Sequence, residues 1–171
     1  MKEKIIKDVQ DNNLVNTIYG EYISKSEDNT ESIALRIAKS LKKSDIVVLT
    51  GNLGAGKTKF VYGLAKYFGI ENQISSPTFT IVNEYTLKKE YLSSQDIQTD
   101  ITTIYHFDVY RLQDANDFID SVGLEYFDNG LCIIEWGEIL KEILPQTAIY
   151  INIERIDEDE NHRKISVFKN V

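Results

Sequence analysis

The sequence predicts an α/β fold of three layers, with a mixed, largely parallel sheet flanked by helices, on three observations. First, Ile46-Val47-Val48-Leu49-Thr50 is short, apolar and β-branched, and runs through a glycine-rich stretch into a helical pattern over Lys57 to Phe68. Second, Leu131-Cys132-Ile133-Ile134 is an unbroken apolar run ending in Glu135, the pattern of a central parallel strand. Third, strand and helix patterns alternate along most of the chain.

Taken in order, Met1 to Asn13 is polar and is expected to be loosely held. Thr17 to Ser24 reads as a strand at a sheet edge, and Ser26 to Thr30 as a turn and helix start. Thr30 to Lys42 carries Ile33, Ile37 and Leu41 at spacing four, an amphipathic helix with lysines at its end. The helix after the glycine-rich stretch ends at Gly69. Pro77 favours extended backbone before it, and Thr78 to Tyr85 reads as a strand. The segment 86–102 is polar, an insert or hairpin end expected to be mobile. Thr103 to Tyr110 is a strand that would pair antiparallel with the one before it. Gln113 to Gly123 is a short acidic helix, followed by a helical turn near Leu124 to Phe127 and a turn at Asn129-Gly130. After Glu135, Trp136 to Leu144 reads as helical, Ala148 to Glu154 as a strand, Ile156 to Asn161 as an acidic loop, and Arg163 to Phe168 as a last strand.

The 171 residues suggest a single domain, 1–171, large enough to bury a core. At 42% hydrophobic and 27% charged residues, the composition is that of a soluble globular chain. Lys and Arg number 19 against 27 Asp and Glu, a formal net charge of -8. That argues against a broad nucleic-acid surface, which needs cations to neutralise phosphates. A local basic patch, or a partner that handles the nucleic acid, stays open. A lone cysteine, Cys132, allows no intramolecular disulfide and suits a reducing cytoplasm. Inside an apolar run it reads as a small buried hydrophobe ahead of a reactive thiol. There is no secretory h-region and no apolar stretch long enough to span a bilayer, so a cytoplasmic location with no membrane role is expected.

Gly51-Asn52-Leu53-Gly54-Ala55-Gly56-Lys57-Thr58 fits the phosphate-binding pattern Gly-x-x-x-x-Gly-Lys-[Ser/Thr]. A plain glycine-rich turn is the alternative, but the strand before and the helix after are the context a P-loop needs. Glycines let successive N–H groups, here those of Asn52 to Thr58, point into one nest that receives phosphate oxygens at a helix N-terminus. Lys57 adds a full charge at the β- and γ-phosphates, and the Thr58 hydroxyl can hold a bridging Mg²⁺. The layered fold is therefore expected to be P-loop NTPase-like.

Such a site needs a second carboxylate near the metal and the attacking water. Glu135, at the C-terminal end of a buried strand, is the leading choice, because ligands gather at that end of open α/β sheets; a helix-capping acid is the alternative. Asp108, in His106-Phe107-Asp108, reads as a metal-side acid or a base, or else as a turn-forming residue, and His106 as a structural histidine. Ser76-Pro77-Thr78 reads either as a segment that senses the γ-phosphate or as a β-turn. Trp136 is equally a nucleotide or partner contact and a core tryptophan.

Gly51–Thr58, Ser-Pro-Thr-Phe-Thr-Ile-Val-Asn-Glu-Tyr (76–85), His-Phe-Asp-Val-Tyr-Arg-Leu (106–112) and Ile-Ile-Glu-Trp-Gly-Glu (133–138) together resemble the TsaE (formerly YjeE) family. The resemblance runs from about Asn29 to Val167. These are bacterial ATPases of tRNA N6-threonylcarbamoyladenosine biosynthesis. The resemblance implies slow hydrolysis of ATP to ADP with Mg²⁺. It also implies work alongside TsaD, which transfers the threonylcarbamoyl group to adenosine 37 of ANN-decoding tRNAs, and TsaB, with tRNA met only through that complex. By resemblance, Lys57 matches the phosphate lysine, and Thr58 and Glu135 the Mg²⁺-linked positions. Asp108 and Trp136 match positions tied to function, and Thr78 the switch-like segment. Glu27 and Arg163 fall near segments that flank the nucleotide. Two departures stand out: the 86–103 segment is longer and more polar than usual, and Gly137 stands where the family often has proline or alanine.

A P-loop small-molecule kinase and a GTPase-like switch are the competing readings. The arginines, Arg36, Arg111, Arg155 and Arg163, form no Arg-rich lid of the kind a kinase would use, and no Asn-Lys-x-Asp guanine reader is present.

Overall fold

The structure, a computed structural model, describes residues 6–7, 18–71, 74–156 and 159–169; most of the 1–13 segment lies outside them. The chain forms β1 (Ile6–Lys7), β2 (Gly20–Ser24), α1 (Glu27–Ala38), β3 (Ile46–Thr50), α2 (Lys57–Tyr67), β4 (Val82–Thr86) and α3 (Lys89–Ser94). It continues through β5 (Thr103–Asp108), α4 (Ala115–Ser121), α5 (Tyr126–Asn129), β6 (Leu131–Glu135), a 3-10 helix (Gly137–Leu140), β7 (Ile149–Ile156) and β8 (Asp159–Lys169).

The strands form one eight-stranded sheet in the order β1-β2-β8-β7-β3-β6-β5-β4. The central strands β7, β3, β6 and β5 run parallel, while β4 joins β5, and β8 joins β7 and β2, antiparallel. This is the mixed, largely parallel sheet expected from the apolar runs.

Strand alternation divides the core. Val47 and Leu49 of β3, Ile104 of β5, and Leu131 and Ile133 of β6 meet Ile33 and Ile37 of α1 and Phe60 and Leu64 of α2. On the other face Ile46, Val48, Phe107, Cys132 and Ile134 meet Phe118 of α4 and Leu140. Full burial of each such side chain contributes about 1.5–3 kcal/mol. The same alternation carries His106 and Asp108 to the face of Ile104, and Glu135 to the face of Ile133. All three therefore face the α2 layer.

Ser26 caps α1 by accepting from Asn29 N–H, with Glu27 and Asp28 in the first turn. The helix thus begins earlier than Thr30. Gly63 lets α1 and α2 come close, since a Cβ there would lie 2.7 Å from Ala34 Cβ.

Several boundaries differ from expectation, each for a local reason. β4 begins at Val82 because Thr80 and Ile81 N–H both donate to Pro77 O, which curls 78–80 into a turn. The 86–102 insert contains α3, and buried Leu87 and Ile101 anchor its two ends to the core, so it is no loose excursion. Trp136 adopts a left-handed φ of 63°, and only a 3-10 helix follows it.

Candidate nucleotide site

β3 delivers the P-loop between two neighbours. β6 on one side brings Glu135 level with Leu49, and β7 on the other brings Asn152 level with Thr50. Gly51 has φ 127°, and a Cβ there would meet Ile153 O at 2.2 Å, so the loop leaves the sheet through a space only glycine fits. Two guanidinium groups hold its outer side: Arg155 Nη2 donates to Gly54 O (3.0 Å) and Arg163 Nε to Ala55 O (2.9 Å). These arginines face each other across the β7–β8 ladder.

Lys57 and Thr58 open α2. Lys57 is buried, its Nζ donating to Gly51 O (2.7 Å) and Asn52 O (3.1 Å). The same ammonium lies 3.4 Å from the centroid of the Trp136 ring, a cation–π contact. Burial lowers its pKa from the ordinary lysine value, and the negative charges of Glu135, Glu138 and Asp108 oppose that shift.

Thr58 Oγ1 donates to Glu135 Oε2 (3.0 Å), and Glu135 Oε1 meets His106 Nε2 (2.9 Å). Asp108 pairs in register with Glu135 on the adjacent strand. Its Oδ2 accepts from Ser76 (2.5 Å) and Thr78 (2.6 Å) hydroxyls, and its Oδ1 from Tyr110 N–H (3.1 Å). Leu53, Gly54, Gly56, Lys57, Thr58, Ser76, Thr78, Asp108, Glu135 and Trp136 line one cavity of about 420 Å³. Segments distant in sequence therefore converge on the P-loop. Trp136 is half-buried and tilts against Tyr110 at 5.0 Å between ring centroids, so it lines the pocket.

Glu27 lies apart from this chamber. It is largely exposed and pairs with Lys59 at 3.6 Å. With Thr30, Gly54, Ala55, Gly56, Lys59, Asn161 and Arg163 it borders a smaller recess of about 140 Å³ on the other side of the loop. Asn52 is exposed, and its carbonyl also accepts from Ala55 N–H (3.1 Å).

Sequence reasoning missed Arg155, because nothing local to it announces a partner 101 residues away. It also took His106 as structural, since the partner depends on the β5–β6 register. That register could be inferred from the two apolar runs, each of which ends in an acid.

Thr58 and Glu135 present hard oxygen donors to the chamber. That suits a Mg²⁺ ion, which is typically held by one or two carboxylates together with phosphate oxygens and water. Among the described residues no group of three or more His, Cys, Asp or Glu is arranged to hold a metal, so such an ion would take its remaining ligands from substrate and solvent.

The sequence profile described as "Threonylcarbamoyl adenosine biosynthesis protein TsaE" matches residues 24–165. The chain belongs to the TsaE family. The TsaE protein of Rickettsia felis is 38% identical over 149 residues, covering 86% of this chain and 79% of that one. The TsaE protein of Bacillus subtilis is 38% identical over 135 residues, covering 78% and 76%. That of Aquifex aeolicus is 37% identical over 151 residues, covering 87% and 96%. All three bear the name tRNA threonylcarbamoyladenosine biosynthesis protein TsaE. Among solved structures, the crystal structure of Bacillus subtilis YdiB superposes with a TM-score of 0.66 at 31% identity, covering 88% of this chain and 85% of that one. All four TsaE sequence blocks lie within the matched residues, and the P-loop chamber is built from them. Among the described residues no helix is long and apolar enough to cross a membrane.

Proposed function

We propose that the protein is an accessory, Mg²⁺-dependent ATPase of tRNA N6-threonylcarbamoyladenosine biosynthesis, acting in the cytoplasm with TsaD and TsaB and meeting tRNA through their complex. The observation that carries the reading is the meeting of Thr58, at the start of α2, with Glu135, at the end of β6, across 3.0 Å beside the P-loop. Family membership supports the process, and this geometry supports the chemistry.

The residues divide the work. Backbone N–H groups of the 52–58 loop and the N-terminus of α2 receive the phosphates, and Lys57 places its charge beside them. Thr58 and Glu135 would hold Mg²⁺, which when bound neutralises and orients the β- and γ-phosphate oxygens. Asp108 fastens Ser76 and Thr78 by their hydroxyls. That suits it to report the state of the γ-phosphate side to the exposed Phe79, whose ring centroid lies 4.2 Å from the Arg111 guanidinium carbon. Trp136 closes one wall against Lys57. Glu27 and Arg163 border the smaller recess beside the loop.

A phosphate nest with a metal-side carboxylate also suits a kinase, but a kinase needs an acceptor pocket and a mobile basic lid. Phosphate release from ATP and GTP, measured with and without TsaD and TsaB and with nucleoside or sugar acceptors, separates the readings. ATP-selective release that responds to the partners is expected. Rapid, partner-independent phosphorylation of an acceptor, or clear preference for GTP, would overturn the proposal.

A further inference from the structure

His106 spends its polar chemistry on one atom. Its ring is fully buried, and Nε2 lies 2.9 Å from Glu135 Oε1. A carboxylate can only accept, so Nε2 carries the hydrogen. Among the described residues Nδ1 has no hydrogen-bond partner. Leaving a buried polar atom unmatched is unfavourable, while an apolar side chain here would strand the buried Glu135 Oε1 instead, so the contact to that oxygen is what the histidine supplies. Packing therefore does not account for a histidine here.

The terminal torsion of a glutamate is broad and nearly two-fold. The Thr58 hydroxyl alone holds one oxygen and leaves the carboxylate plane free to turn about that contact. An N–H on the other oxygen fixes the plane, with one oxygen held by His106 Nε2 and the other facing Thr58 Oγ1. The fold provides the geometry: Asp108 stands level with Glu135, His106 stands level with Ile133, and alternation turns both β5 side chains to the α2 face.

Resting on the assignment of Glu135 to the metal side of the site, we propose that His106 is a positioning residue whose Nε2–H fixes the rotation of the Glu135 carboxylate and so tunes its hold on Mg²⁺. Partners that orient a metal ligand in this way typically change metal affinity 10–100-fold.

The test is calorimetric titration of ADP into the full chain at increasing MgCl₂, for wild type, H106L, H106Q and H106N. Glutamine can place an N–H near the Nε2 position; asparagine is as polar but one methylene shorter. H106L and H106N should raise the Mg²⁺ concentration for half-maximal effect about tenfold or more. H106Q should restore most of that loss, and ADP affinity without Mg²⁺ should be unchanged in all. In an E135Q background H106L should add nothing, since its effect passes through that carboxylate. If H106L does not accumulate as folded protein, the contrast between H106Q and H106N carries the test. A Mg²⁺ midpoint unchanged in both H106L and H106N, equal loss in H106Q and H106N, or an undiminished effect of H106L in E135Q would overturn the proposal. If Mg²⁺ leaves wild-type ADP binding unchanged, the metal-side reading of Glu135 itself falls, and this proposal with it.

Discussion

Thr58 and Glu135 stand 77 residues apart, and the hydroxyl of the first donates to the carboxylate of the second across 3.0 Å. The P-loop and the strand beside it thereby form one site. Removing the carboxylate should separate binding from turnover. Glu135→Ala should lower Mg²⁺-dependent ATP hydrolysis by about a hundredfold or more, while ADP affinity without Mg²⁺ changes little. Steady-state phosphate release and ADP titration measure the two quantities, and equal loss of both would point to a structural role.

Lys57 gives a second prediction. Nucleotide at a hundredfold over its Kd should stabilise the wild type by about 2.7 kcal/mol, and Lys57→Ala should abolish the thermal shift. Burial lowers the Lys57 pKa, so the unfolded chain binds more protons than the native one between the depressed value and the ordinary lysine value. Through this residue the unliganded protein gains stability as pH rises across that window. Nucleotide binding, which uses the charged form, should weaken over the same window. A Lys57→Met variant lacking both trends in paired melts would support the assignment; unchanged pH profiles would count against it.

The β7–β8 hairpin should matter to a loop it does not belong to. Arg155 and Arg163 hold Gly54 O and Ala55 O, and a carbonyl held outward leaves the next peptide N–H turned the other way. Arg155→Met and Arg163→Met should each weaken ADP binding several-fold, with a larger effect for the less exposed Arg163. Charged hydrogen bonds are worth about 1.5–3 kcal/mol when well protected and less when solvated. Isothermal titration checks this; wild-type affinity in the double variant would show that the loop holds its shape unaided.

The parts of the molecule that the sequence made legible are those with local signatures. The β3–loop–α2 unit and the apolar β6 follow from short-range pattern, and the parallel core follows from runs buried on both faces. Cys132 is fully buried, as an apolar run implies. What stayed hidden depends on register and long-range partners. His106 gains its meaning only when β5 is laid against β6, and Arg155 only when β7 passes the loop. The β-branched Thr78-Phe79-Thr80 looks like strand, yet hydrogen bonds to Pro77 O turn it, so tertiary placement beside Asp108 outweighs propensity.

Burial pushes the Cys132 thiol up from 9.0 to about 12. The native state therefore holds its proton where the unfolded chain has lost it, and stability falls as pH rises past the unfolded value toward the folded one. At pH 8 Cys132 should react with iodoacetamide only through unfolding, so labelling should track the denaturant melt. Fast stoichiometric labelling of the native chain would contradict this packing.

The most direct test of the account is reconstitution of tRNA modification. TsaD, TsaB, threonylcarbamoyl-adenylate and tRNA are combined with this chain or its Glu135→Ala variant, with and without ATP, and modified adenosine is counted per TsaD. The account predicts repeated turnovers only with the wild-type chain and ATP. Equal product from the variant, or without ATP, would contradict it.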